Sequence, residues 1–191
     1  GVVETLAREA WRAEDAPVVL RNPRLFRPFE TITRMMPLPR YGSIDPTPYV
    51  AVFFPMFFGM MLGDVGYGAA LALIAFVLHH RSRPGTAMRT VSEIMGACAL
   101  FAIAFGMAFG ELFGDLGTRW LHQQPLLFDR GEQITAFLGL AVALGFVHVL
   151  LGLILGVVAA RRHPRQAVGR GLSAVMVVLV LVAILAAVDV L

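Results

Sequence analysis

Three side chains stand where apolar sequence makes them costly: Asp64, Glu111 and His148. Asp64 lies inside the apolar block 47–78. An ionised carboxylate in hydrocarbon costs at least ~2.5 kcal/mol, so a residue of this kind faces protein or water and has a purpose. Two roles suit it. It can cap a restarting helix by accepting orphan N–H groups, or it can be a polar station on an ion path. Glu111 lies in the series Gly106-xxx-Gly110-xxx-Gly114, with Phe105, Phe109 and Phe113 alongside. Glycine at every fourth position offers a smooth face for close helix contact. Glu111 is then either a residue of the outer interface beside a packing groove or a carboxylate lining an aqueous half-channel. His148 sits mid-block between Val147 and Val149, where an imidazole either hydrogen-bonds between helices or relays protons. No phosphate-binding glycine loop, nucleophile elbow or metal-spaced His/Cys/Glu cluster occurs, so the sequence predicts no catalysis by this chain alone, no metal and no cofactor.

The elements that must hold these groups are membrane helices. The chain is 58% hydrophobic with a mean hydropathy of +0.73, too apolar for an ordinary soluble domain. Four apolar blocks, 47–78, 91–113, 134–160 and 171–191, alternate with polar loops. The loops sort by charge. Residues 21–40, 79–90 and 161–170 are rich in arginine, whereas 114–133 carries Asp115, Asp129 and Glu132 against Arg119 and Arg130. Basic loops stay cytoplasmic, which puts 114–133 outside. Both ends of the 47–78 block are then inside, so it crosses an even number of times. At 1.5 Å per residue it gives roughly 48 Å of helix, enough for two short passes. The break falls at Leu62–Gly68, where Gly63, Gly66 and Gly68 surround Asp64 and permit close backbone approach or positive φ. Irregular backbone at membrane depth is tolerated only when buried in protein or lining water. A tight hairpin is therefore preferred to one long tilted helix, and Asp64 should point toward the Gly106/Gly110 face.

The expected fold is all-α: a polytopic helical membrane protein of about five transmembrane segments with a short cytoplasmic N-terminal arm. The arm and its connector take 1–45. A short amphipathic helix fits Val2–Trp11, a brief strand fits Val18-Val19-Leu20, and Pro23, Pro28, Pro37 and Pro39 prevent any long element after it. The transmembrane domain takes 46–191, with spans at 48–62, 65–79, 91–113, 134–160 and 171–191. Glu93 reads as an N-terminal cap of the third span, and Gly152 and Gly156 as packing positions of the fourth. The net charge of +3 comes from sixteen basic residues, all arginine. Their clustering between apolar runs is the positive-inside pattern and excludes nucleic acid as a partner. Cys98 is the one cysteine, so a disulfide framework is excluded.

One string is specific enough to suggest a family. Pro39-Arg40-Tyr41-Gly42, Asp45-Pro46-Thr47-Pro48, Phe53-Phe54-Pro55 and Phe57 through Gly68 (FFGMMLGDVGYG) stand in a single register. Together they resemble the membrane-embedded stator subunit of V-type and A-type rotary ATPases, called subunit I in prokaryotes and subunit a in eukaryotes. Phe109-Gly110-Glu111-Leu112-Phe113-Gly114 is a second point of likeness. The resemblance covers about residues 17–191, strongest at 37–68 and weak beyond 134. It implies the end of a cytoplasmic arm followed by the first membrane helices of an ATPase or ATP synthase stator. The implied partners are the proteolipid ring, the peripheral stalk through the arm, and the lipid bilayer of a prokaryotic plasma membrane; the implied task is proton or sodium translocation. In that family, later helices supply an arginine facing the ring carboxylates. Every arginine here falls in a loop or in the arm, so none is assigned that role. The alternative reading is a small secondary transporter with its site at the Gly63–Gly68 break.

Overall fold

The computed structural model describes residues 20–35, 44–114, 116–117, 125–159 and 164–190. The expectations for Val2–Trp11 and Val18-Val19, like Pro37 and Pro39, fall outside them. All regular elements among the described residues are helical. A 3₁₀ turn at Arg27–Phe29 runs into α1 (Glu30–Thr33); then come α2 (Thr47–Leu62), α3 (Val65–Arg81), α4 (Ala87–Phe109), α5 (Ile134–Ala159) and α6 (Pro164–Val190). Of these, α4 and α5 are long and apolar enough to cross a membrane; α2, α3 and the Val168–Ala183 stretch of α6 are shorter apolar helices.

The chain divides into two compact units. One holds 45–137 with the N-terminal residues; the other holds 138–191 with 41–44. In the first unit α4 is the central element. Gly59 of α2 faces Phe101 and Ala102, and Gly63 faces Phe109, so α2 runs alongside α4 in the same direction. Gly68 of α3 faces Ile103, and His79 meets Ser92 at 3.4 Å, so α3 runs the opposite way. The 47–81 segment is thus an antiparallel hairpin lying on α4, not one long helix. Small residues line the seam: Ala75, Cys98, Ala99 and Ala102 are buried with Gly59, Gly68 and Gly106, alongside the larger Met60 and Phe109. Small residues let helix backbones approach closely where lipid offers no hydrophobic drive between helices.

The helix ends follow from local chemistry. Pro46 and Pro48 open α2, where a missing N–H costs nothing. Thr86 caps α4 by accepting from Arg89 N at 3.4 Å. The helix therefore begins four residues before the expected 91, and Glu93 is no cap: it pairs with Arg89 at 3.4 Å. The same helix stops at Phe109, not at 113, because Gly110 turns left-handed (φ +73°). Pro164 opens α6, so seven of the ten residues of the expected 161–170 loop are helical.

The arm is tied to the hairpin by hydrogen bonds. Asn22 Nδ2 donates to Asp45 at 2.7 Å and to Glu30 at 3.2 Å, and Thr47 N donates to Asp45 Oδ1 at 2.8 Å. Thr47 and Thr33, both fully buried, join through their hydroxyls at 3.1 Å. In the second unit, Arg170 Nη1 donates to the Gly156 carbonyl at 2.6 Å.

Candidate functional site

The polar centre of the first unit forms where α2 stops and α3 starts. Gly63 ends α2 in the left-handed region (φ +48°), which only glycine adopts freely, and its N–H closes on Gly59 O at 2.7 Å. The chain then extends for one residue, Asp64, before α3 begins. Asp64 is 2% exposed. Its Oδ1 accepts from Tyr67 N at 2.9 Å, which caps α3, and from Phe113 N at 3.0 Å. Its Oδ2 accepts from Gly114 N at 2.6 Å. One carboxylate therefore supplies acceptors to the start of one helix and to the turn that follows another. Hydrogen bonds to a charged acceptor are worth ~1.5–3 kcal/mol each, enough to offset taking the group out of water. Phe113 is held at φ +45°, a strained setting for a bulky residue. Its ring lies over Gly66, where a Cβ would stand 2.6 Å from Phe113 Cγ, and meets Tyr67 edge-on at 5.3 Å.

Gly106 makes this possible. A Cβ there would sit 2.5 Å from the Asp64 carbonyl carbon and would overlap Val65 N. Val65 N donates to Glu111 O at 2.9 Å, stitching the break to the end of α4. The three glycines of the Gly106–Gly110–Gly114 series thus do different things and do not form one face. Gly106 admits the neighbouring backbone, Gly110 ends the helix, and Gly114 (φ +70°) sits in the turn beyond it. The helix end at Phe109 is the cause.

Glu111 has a partner that the sequence reading passed over. Arg130 grips it with Nε to Oε1 at 2.9 Å and Nη2 to Oε2 at 2.6 Å, while Nη1 donates to the Met61 carbonyl at 3.1 Å. This two-pronged geometry is what a guanidinium offers and an ammonium does not. The guanidinium carbon also lies 5.8 Å from the Phe109 ring centre and 5.6 Å from that of Phe137, within cation–π range. Phe109 in turn meets the rings of Phe105, Phe128 and, edge-on, Phe137. A signal existed. Arg130 is one of two arginines in an otherwise acidic loop, next to a membrane-edge carboxylate. Both side chains keep about a quarter of their surface exposed.

The structure therefore brings Asp64, Glu111, Gly63, Gly66, Gly106, Gly110 and Gly114 to one junction. Gly68 packs one turn further along α3, against Ile103. His148 lies in the second unit, at an exposed position of α5. Among the described residues no group of three or more His, Cys, Asp or Glu side chains gathers as a metal site. The junction can hold helix ends together and can place a paired carboxylate near the surface; it carries no nucleophile–base pair.

A helical hairpin broken at a buried Gly-Asp, laid on a long apolar helix and sealed by an Arg–Glu pair, defines a class of helical membrane subunit. The comparisons give the family. Residues 2–114 match the V-type ATPase 116kDa subunit family, and the chain belongs to it. It is 35% identical over 151 residues to the A-type ATP synthase subunit I of Methanothermobacter thermautotrophicus, which covers 75% of this chain and 22% of that protein. It is 32% identical over 146 residues to the subunit I of Pyrococcus horikoshii, with the same coverage. It is 29% identical over 174 residues to a V-type ATP synthase subunit I 2 of Treponema pallidum, covering 81% of this chain and 38% of that protein. The chain thus spans less than half the length of these curated relatives.

Proposed function

We propose that this chain forms the beginning of the membrane sector of a rotary ATPase or ATP synthase stator, multi-pass in a prokaryotic plasma membrane with its N-terminal arm cytoplasmic. The observation carrying this reading is that the family match at 2–114 takes in the whole hairpin and α4. Family membership also displaces the secondary-transporter alternative. In this reading α2 and α3 both enter the bilayer, the arm leads toward the peripheral stalk, and the helices stand beside the proteolipid ring and contribute to proton or sodium translocation.

Asp64 is then a latch and not an ion station. What supports this is that both its oxygens accept from backbone N–H groups, three in all. Glu111, paired with Arg130, closes the outer side of the same junction. The ion-path reading of His148 rests on its sequence position alone.

Cysteine labelling of the full-length subunit tests the topology, in a Cys98→Ser background. An impermeant reagent applied from outside should modify a probe at Gln123 and spare one at Ser82. Modification at Ser82 would place the basic 79–90 loop outside and overturn the two-pass reading of the hairpin.

A further inference from the structure

The end of the hairpin opposite the Asp64 junction opens into two adjoining cavities. Because α2 and α3 each pack on α4 and meet one another little, they diverge into a cleft of about 660 Å3. That size falls within the roughly 300–1,000 Å3 of sites that take small molecules. Its walls are apolar: Ala51 and Val52 from α2, Ala75 from α3, and Gly96, Leu100 and Phe101 from α4. The 3₁₀ turn of the arm covers its mouth, where Arg24, Pro28 and Glu93 also border a second cavity of about 560 Å3. The second cavity is polar, lined by Arg24, Arg27, Arg34 and Arg89 with Glu30 and Glu93. Both glutamates are already paired, Glu30 with Arg34 and Glu93 with Arg89. Arg24 and Arg27 are exposed and have no carboxylate partner among the described residues. An apolar slot thus leads to a pocket where two guanidinium groups, Arg24 and Arg27, have no carboxylate partner among the described residues.

We infer that this double cavity holds an anionic phospholipid of the cytoplasmic leaflet. Its acyl chain lies between α2 and α3, and its headgroup phosphate meets Arg24 and Arg27. The charge argues for the occupant. A phosphate diester supplies the anion that two adjacent guanidinium groups bind well, and basic pockets at the cytoplasmic ends of membrane helices are where anionic headgroups bind. A zwitterionic lipid would bring its own cation into an already basic pocket. The inference rests on the membrane topology proposed above, which puts this end of the hairpin inside.

Gly96 supplies a clean test. A Cβ added there meets nothing within 4 Å, so Gly96→Leu starts its side chain in open space and projects it into the cleft that Gly96 lines. The full-length subunit in its complex is placed in nanodiscs of phosphatidylcholine doped with phosphatidylglycerol. Lipid retained after detergent exchange is then counted by mass spectrometry. Wild type should retain phosphatidylglycerol over phosphatidylcholine. Arg24→Gln with Arg27→Gln should weaken that retention roughly tenfold or more, Gly96→Leu should abolish it, and Arg81→Gln with Arg83→Gln, which lie outside both cavities, should leave it in place. Equal retention of the two lipids, or retention unchanged by both test variants, overturns the inference even when Ser82 stays protected from outside reagent. Loss of complex assembly in Gly96→Leu with lipid retention unchanged in the arginine variant would mean that a protein helix fills the cleft, and also overturns it. Labelling of Ser82 from outside sinks the topology instead, so the two readings fail separately.

Discussion

Two helices long enough to cross a membrane both carry glycines, and among the described residues only one of them uses a glycine to bring another helix close. On α4, Gly106 touches the backbone of Asp64 and Val65, and Ser92, Ala99 and Ala102 are buried with it. On α5, Gly139, Gly145 and Gly152 look into open space, and none of the helix's described residues is buried. Gly156 meets only the flexible side chain of Arg170. The expectation that Gly152 and Gly156 pack like Gly106 is therefore not met among the described residues. Spacing alone does not make a packing face. What α4 has in addition is a run of small, weakly apolar residues on the same side, whereas α5 is apolar all round. Uniform hydropathy tells where lipid is tolerated; a one-sided stripe of small residues tells where a helix sits.

The largest effect should separate those glycines. Gly106→Val forces a side chain into backbone that has no flexible end to give way, and should cost more than ~3 kcal/mol and prevent assembly of the full-length subunit. Gly152→Val should leave assembly at the wild-type level. Equal damage from the two would erase the distinction drawn between the helices. A smaller effect follows from Asp64→Asn. The amide can still accept at Oδ1, but its NH2 would face the Gly114 N–H, leaving a buried donor unmatched at ~1–3 kcal/mol. The melting temperature of the purified subunit should fall while ion pumping per assembled complex stays constant. Reduced pumping at unchanged stability would make Asp64 an ion station and not a latch.

Arg130→Gln comes next. The pair with Glu111 is partly solvated, so its loss should cost about 1 kcal/mol. A double-mutant cycle with Glu111→Gln should recover most of that as coupling, and no coupling would make the pair incidental. The smallest effect concerns the arm. Burial pushes the Asp45 carboxyl up, but hydrogen bonds from Thr47 and Asn22 outweigh it and hold it below the ordinary carboxylate value. A group lowered in the folded state stabilises above its ordinary value and loses that contribution as pH falls through the lowered one. Hydrogen-exchange protection of residues 20–33 should therefore weaken only below about pH 4, and Asp45→Asn should abolish that dependence.

Much of this architecture was legible. The charge sorting of the loops required both ends of the 47–78 block on one side, and the block does fold as an antiparallel hairpin broken at Gly63–Asp64. The family followed from the string at 57–68, within the matched 2–114. Depth was not legible. Asp64 is central in the apolar sequence, yet a hairpin turns the centre of a segment into its tip, and Asp64 lies level with the last turn of α4. The Arg130 pairing was only hinted at by an arginine in an acidic loop, because Arg130 lies 19 positions beyond Glu111 and a loop's return path has no periodicity. The two backbone donors at Phe113 and Gly114 carry no sequence signal of their own, since every residue but proline has an N–H.

The Asp64 bonds also have a mechanical meaning. They bolt the hairpin's tip to the turn after α4, while its other ends stand apart around the cleft. With 17 residues, α3 is an arm of roughly 25 Å. A rotation of one degree about the bolted tip would then displace the far end by roughly 0.4 Å. Such a wedge is stiff at its bolted tip and compliant at its open end, so sideways load would register as a change in the width of the cleft and not as slippage at the tip.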